Sequence, residues 1–362
     1  MKRKNMKIIL SSFCNLNECQ IPKKVRKLSD NSNLSKIFVE FDSKSNYLFA
    51  SMKIIKPKRL KHGDVIGICA PASPPASAEK LNDGIKYIER CGFRVEVGKH
   101  LNRRHGYLAG TDKERAADLN NLFANKNVKA IFAARGGYGT QRILPLLDYR
   151  MIKNNPKIVV GYSDITALHL TLLEKVGLIS FSGPMAAVEM SEGLKGEIEE
   201  RFWDGLMSAK PPKPIIAKNI SSTFKKSGKA EGRLLAGNLS LVAAMCGTKY
   251  FPRFKKFILM IEEIDEKPYR IDRMLEQLKL AGLFNVCAGI ALGKFISCVP
   301  DKGKPSLTLQ QVFKDQFGSY KFPVVSEIPY GHFKTSLPIP VGVKVRLNGD
   351  KNILEFLESG VC

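Results

Sequence analysis

The sequence predicts an α/β fold in two parts: an N-terminal, mostly parallel sheet flanked by helices, and a smaller mixed β/α C-terminal domain. Three observations lead there. From Val65 onward, short apolar runs alternate with segments of helical period, the pattern of βαβ units. The 362 residues exceed the ~250–300 that one hydrophobic core serves. A stretch rich in Pro, Lys and then Ser interrupts the pattern at 206–228 and reads as a linker. The expected organisation is a leader at 1–51, a first domain at 52–205, the linker, a second domain at 229–352 and a tail at 353–362.

The leader is polar, rich in Asn, Ser and Lys and weakly periodic, a composition expected to stay disordered or loosely attached; Met52, where the texture changes, is a second candidate start. Val65–Ala70 is apolar throughout and reads as a buried first strand. A loop through Pro71, Ser73, Pro74 and Pro75 leads to a helix carrying Leu81, Ile85 and Ile88, ended near Gly92, and Phe93–Val97 returns as a strand. Thr111 and Glu114 have the spacing of a capping box, in which each side chain satisfies an orphan N–H of the other's turn, so a helix should run through Leu119 and Phe123. The strand Ala130–Ala134 ends in Arg135-Gly-Gly-Tyr-Gly139. The strand Lys157–Val160 ends in Gly161-Tyr-Ser-Asp164, followed by a helix whose residues 165, 168, 172 and 176 form one apolar stripe. A helix through Leu194, Ile198, Phe202 and Leu206 closes the first part. Strands are expected in the second at Phe257–Ile261, Gly289–Leu292 and Pro323–Val325.

Composition narrows the function. With 44% hydrophobic and 25% charged residues the chain is an ordinary globular one, and no stretch reaches the ~18–20 consecutive apolar residues of a membrane helix. The eight cysteines (14, 19, 69, 91, 246, 287, 298 and 362) include no C-x-x-C pair, which argues against a zinc site or a disulfide framework and for reduced thiols in a cytoplasm. Behind Lys2, Arg3 and Lys4, the apolar run Ile8–Leu10 is too short for a signal peptide. Of the net charge of +24, the first 51 residues carry +6. The rest is spread without an arginine-rich block, which argues against nucleic acid as a partner. No cofactor or metal is expected: there is no H-E-x-x-H, and the glycines at 136–139 lack both the dinucleotide-binding spacing and a P-loop lysine.

Ser163 is the most informative position. A strand that runs into Gly-x-Ser and turns at once into a helix exposes the hydroxyl beyond the strand's carboxyl end, where helical N–H groups can stabilise an oxyanion. The same serine also reads as a plain helix N-cap, and the short motif does not choose between the two. Glycines at 136–139, after a neighbouring strand, let backbone N–H groups approach a substrate, so Gly137 could join the Asp164 N–H as a second oxyanion donor. A serine needs a base. His169 lies six residues on, where the helix turns it away from Ser163; His62 and His100 fall in surface turns; His332 follows Pro329-Tyr-Gly331 in a loop that suits a catalytic or merely solvated imidazole. The pair Glu262-Glu263 after the strand Phe257–Ile261 could orient that imidazole, or be an exposed carboxylate pair.

Taken together, these stretches resemble a known family. Gly63–Ser73, Gly106–Arg115, Arg135–Gly139, Gly161–Thr166, Gly237–Leu241, Ile261–Glu263 with Pro268–Arg273, and Ile328–His332 are similar, in order, to motifs of the LD-carboxypeptidases, serine peptidases of family S66. The resemblance covers about 52–350 and leaves residues 1–51 outside it. It implies Ser163 as nucleophile, His332 as base, Glu262 as its carboxylate, and the N–H groups of Gly137 and Asp164 as oxyanion donors. Where many members have Glu-Asp, this chain has Glu262-Glu263. The resemblance also implies a C-terminal domain that delivers Glu262 and His332 across a cleft, frequent homodimers, and a murein tetrapeptide substrate trimmed of its D-alanine in the cytoplasm. A microcin-immunity branch that cleaves a peptidyl-nucleotide is the nearest rival. An α/β-hydrolase fits less well, since Ile165 stands where its elbow has a second glycine. A non-catalytic basic binding protein on the same scaffold is the rival from another class.

Overall fold

The computed structural model describes residues 53–218 and 224–362, so the expected leader and the middle of the Ser-rich stretch lie outside the described residues. In chain order the strands are β1 (Val65–Cys69), β2 (Arg94–Val97), β3 (Val128–Ala133), β4 (Ile158–Gly161), β5 (Ser180–Ser182), β6 (Ile215–Ile216), β7 (Lys229–Asn238), β8 (Phe257–Ile264), β9 (Cys287–Ile296), β10 (Val324–Val325), β11 (Ile339–Val341), β12 (Lys344–Asn348) and β13 (Ile353–Phe356). They form two sheets.

The first sheet has the order β11-β5-β4-β3-β1-β2 and is parallel except for β11, which pairs antiparallel with β5. Its five parallel strands point their carboxyl ends the same way, so the loops after β3 and β4 emerge side by side; ligands of open α/β sheets bind at such edges. The capping box is present, with Thr111 Oγ1 accepting the Glu114 N–H and Glu114 accepting the Thr111 N–H at 2.8 Å, and the helix runs Asp112–Ala124.

The second sheet is mixed, with the order β10-β9-β8-β7-β12-β13-β6. β10, β9, β8 and β7 are parallel, whereas β12, β13 and β6 add antiparallel hairpin edges. The stretch expected as a linker contributes β6. The stretch expected as a tail contributes β13, and its end folds back so that the Cys362 N–H bonds to Pro57 O at 3.0 Å.

The helix Thr166–Val176 was expected to bury one stripe. It is instead buried on nearly every side, with Lys175 the one residue in it above the buried range. The reason is its place: its leucines join a single apolar cluster with Val159 of β4, Leu235 of β7 and Ile261 of β8, so it is packed from both sheets. Two of its buried polar side chains bond to nearby backbone carbonyls. Thr171 Oγ1 donates to Ala167 O at 2.7 Å, and His169 Nε2–H donates back to Gly161 O at 2.7 Å. Burial pushes the His169 pKa down to about 4, so this imidazole is a neutral clamp on the turn before Ser163. No helix among the described residues is long and apolar enough to cross a membrane.

Candidate active site

Ser163 sits at the junction of β4 and the helix that follows, with φ +61°, a left-handed conformation that costs a non-glycine residue energy. Its side chain does not cap the helix: the N-cap of the 3₁₀ turn is Tyr162, that of the α-helix is Ile165, and neither cap is bridged by a side chain. The hydroxyl has no hydrogen-bond partner among the described residues, and the residue is half-buried. A strained, half-open serine with an idle hydroxyl is the geometry of a nucleophile elbow.

The glycine loop after β3 lies directly against it. A Cβ on Gly136 would come within 3.0 Å of Ser163 Cβ, so a side chain there would crowd the serine and force it to shift. Gly137 has φ +108°, and a Cβ there would meet Ser73 Oγ at 2.4 Å. The Ser73 N–H bonds to Gly136 O and the Tyr138 N–H to Ser73 Oγ, both at 3.3 Å, which ties this loop to the proline-rich loop after β1. The N–H groups of Gly137 and Asp164 find no partner among the described residues, so both remain available as donors.

The Asp164 side chain holds the arrangement from below. Buried at 2% exposure, it accepts the Thr140 N–H at 2.8 Å and so pins the end of the glycine loop to the serine turn. Burial raises its pKa, opposed by the N–H groups of Thr140 and Gly139 and by the charge of Arg115. Arg115, itself 2% exposed, donates to Gly139 O at 2.9 Å, to Pro71 O and to Asp112. Replacing it leaves buried carbonyls unpaired, so Arg115→Met should lower unfolding free energy by about 3 kcal/mol in urea titrations, with a reduced midpoint and unchanged slope.

The second sheet supplies the other groups. Both glutamates lie within β8, not after it, and both are buried, at 1% and 2% exposure. The exposed-pair reading is thereby corrected: β8 is a central strand covered on both faces, so neither side of it meets solvent. Alternation sends the two carboxylates in opposite directions. Glu262 Oε2 accepts from His332 Nδ1–H at 2.8 Å, whereas Glu263 is taken up by Asn238 Nδ2 at 2.8 Å and by the N–H and Oγ of Ser240 at 2.8 and 2.7 Å. The pairing register with β9 shifts between Ile261 and Glu263, a local irregularity of the kind that re-aims side chains near sites.

His332 stands on a loop closed by Leu337 N–H to Pro329 O at 2.8 Å and by Gly331 N–H to Ser336 Oγ at 3.0 Å. Its Nδ1–H is committed to Glu262, which leaves Nε2 as the acceptor. Burial would lower its pKa, but the hydrogen bond and charge of Glu262, with the charges of Glu263 and Glu189, more than reverse this and raise it above the ordinary histidine value.

The two sheets meet here. The His332 ring packs edge-on against Tyr162, the residue before Ser163, with centroids 5.0 Å apart. Ser182 Oγ and Tyr330 OH share a hydrogen bond of 2.9 Å, and Thr166 Oγ1 accepts the Asn238 N–H at 3.1 Å. The arrangement thus brings Glu262 and His332 together and sets the imidazole beside the turn that carries Ser163. Beside them opens a cleft of about 370 Å³ lined by Tyr162, Glu189, Tyr330, Gly331 and Phe333 among others. His100, expected in a surface turn, bonds to the buried Asp118 at 2.8 Å and takes no part. Arg115, Ser73, the Asp164 carboxylate and Ser336 were not foreseen as supports; only the capping motif near Arg115 gave any local signal.

Comparison with known proteins identifies the family. Residues 66–183 match the family model described as the LD-carboxypeptidase N-terminal domain, and residues 231–347 that of the LD-carboxypeptidase C-terminal domain. A probable murein peptide carboxypeptidase of Bacillus subtilis is 40% identical over 307 residues, covering 84% of this chain and 95% of that protein. The microcin C7 self-immunity protein MccF of Escherichia coli is 31% identical over 329 residues, covering 82% and 94%. The crystal structure of a muramoyltetrapeptide carboxypeptidase from Oxalobacter formigenes has a TM-score of 0.71 at 29% identity, covering 81% of this chain and 97% of that one.

Proposed function

The chain belongs to the LD-carboxypeptidase family of serine peptidases, and we propose that it removes the C-terminal D-alanine from murein tetrapeptides through a Ser163–His332–Glu262 triad. The observation that carries this reading is the Glu262–His332 hydrogen bond set beside the strained serine turn. In the reaction, His332 Nε2 takes the Ser163 proton while Oγ attacks the carbonyl of the amide between the L-centre of the third residue and the D-alanine. The oxyanion forms between the N–H groups of Gly137 and Asp164. Glu262 stabilises the imidazolium, which then gives its proton to the leaving amine. Water, deprotonated by His332, hydrolyses the acyl-enzyme and restores the serine.

The oxyanion donor depends on a loop that tolerates no side chain at Gly137. Gly137→Ala should therefore cut kcat by about 10²–10³-fold, read by steady-state release of D-alanine.

The likeness to MccF favours a second substrate, a peptidyl-nucleotide amide. One experiment separates the two: mass spectrometry of a tetrapeptide and of an aminoacyl-sulfamoyl nucleoside, each before and after incubation with enzyme. Loss of one alanine from the tetrapeptide supports the murein reading; cleavage of the nucleoside conjugate alone replaces it. The free thiols of Cys69, Cys91, Cys246, Cys287, Cys298 and Cys362 fit work in the reducing cytoplasm, where murein fragments are recycled. A homodimer is the assembly we expect.

A further inference from the structure

An exopeptidase must read the free carboxylate of the residue it releases; the cleft beside His332 is lined by two cations, Lys195 and Lys334, whereas Arg135 of the glycine loop does not line it. We propose that Lys195 and Lys334 form that carboxylate clamp, an inference that rests on the carboxypeptidase reading above. Both line the cleft beside His332, one from the segment before the helix Gly196–Met207, the other from the loop that carries His332 itself. They come from distant parts of the sequence and converge on one cavity. Both are exposed, and neither makes a hydrogen bond or ion pair with any described residue.

The place of the cleft decides which carboxylate it holds. His332 has to protonate the leaving amine, so the leaving residue must lie on the imidazole's side of Ser163. This cleft is lined by both chain neighbours of His332, Gly331 and Phe333. The acidic groups on its walls are already engaged. Glu189 accepts the Tyr162 hydroxyl at 2.6 Å and the Met185 N–H at 3.0 Å, and Glu192 faces Lys80 at 3.8 Å. Among the described residues the two lysines are the cleft's unpaired cations, and an anion brought between them meets two free ammonium groups with three donors each. The hydroxyl-bearing Thr335 and Ser336 stand on the same rim.

The test compares wild type with Lys195→Met/Lys334→Met on a tetrapeptide with a free C-terminus and on the same peptide as its C-terminal amide. The clamp predicts that the double variant raises KM for the free acid about 10–100-fold with kcat within about threefold, since two charge-assisted contacts made before chemistry are lost. For the amide it predicts a high KM in both proteins, changed little by the substitutions. The double arginine variant should restore most of the affinity for the acid. Because both side chains are exposed, the thermal midpoint should not move. A KM for the free acid that ignores the double substitution, or an equal rise for acid and amide, overturns the clamp while leaving the triad in place. A wild type that releases no alanine from the free acid overturns the murein reading and the clamp with it.

Discussion

Ser163→Ala abolishes release of D-alanine, lowering kcat by about 10⁴-fold or more, while thermal unfolding stays within about 1 kcal/mol of wild type. The hydroxyl makes no hydrogen bond that the fold needs, and alanine places no new atom in the turn. Its loss removes the nucleophile and leaves the φ of +61° to be held, as now, by the surroundings. Those surroundings are strong: the Asp164–Thr140 hydrogen bond on one side and the His169–Gly161 clamp on the other. A variant that kept even a hundredth of wild-type turnover would show that another group attacks the carbonyl. Circular dichroism and a thermal melt, run beside the assay, separate loss of chemistry from loss of fold.

Glu262→Gln lowers kcat by about 10³–10⁴-fold and shifts the pH profile. His332 acts as a base only when neutral, so kcat/KM rises with pH as the imidazole loses its proton. In the wild type burial pulls its pKa down, but Glu262 outweighs burial, and the acidic limb lies above the ordinary histidine value of about 6.5. Glutamine keeps the shape and the burial but removes the charge, so the limb moves to lower pH. Glutamine can also present its amide nitrogen to Nδ1 and turn the imidazole to the wrong tautomer, which adds to the loss in kcat. Glu263→Gln behaves differently. Its carboxylate serves Asn238 and Ser240, so the expected effect is on stability, with a much smaller shift of the limb.

Particular residues show what could be read from the chain and what could not. The strand-to-helix turn at Ser163 was legible because Gly161-x-Ser163 follows an apolar run that has no polar alternation, the mark of a strand covered on both faces. The same property hid the choice between Glu262 and Glu263: in a two-sided buried strand, no face is polar, so sequence period does not tell which carboxylate turns toward the histidine. Strands as short as β5 and β11 carry no period at all, and β7 begins with the charged run Lys229-Ala-Glu-Gly-Arg233, which reads as surface. The supports of the site were the least visible. Arg115 bonds to Pro71 O across 44 residues, and Tyr330 reaches Ser182 across 148. Such partners become neighbours only once the strands are ordered in their sheets.

The catalytic claim is that Ser163 is acylated with the help of an imidazole from the other sheet. It is tested most directly by treating the enzyme with a murein tripeptide that ends in an electrophilic phosphonate diester and mapping the adduct by peptide mass spectrometry. The account predicts one adduct per chain, on Ser163, formed in step with loss of activity and slowed sharply by His332→Ala. An adduct on another residue, or an enzyme that stays unlabelled under turnover conditions and continues to release D-alanine, would contradict it.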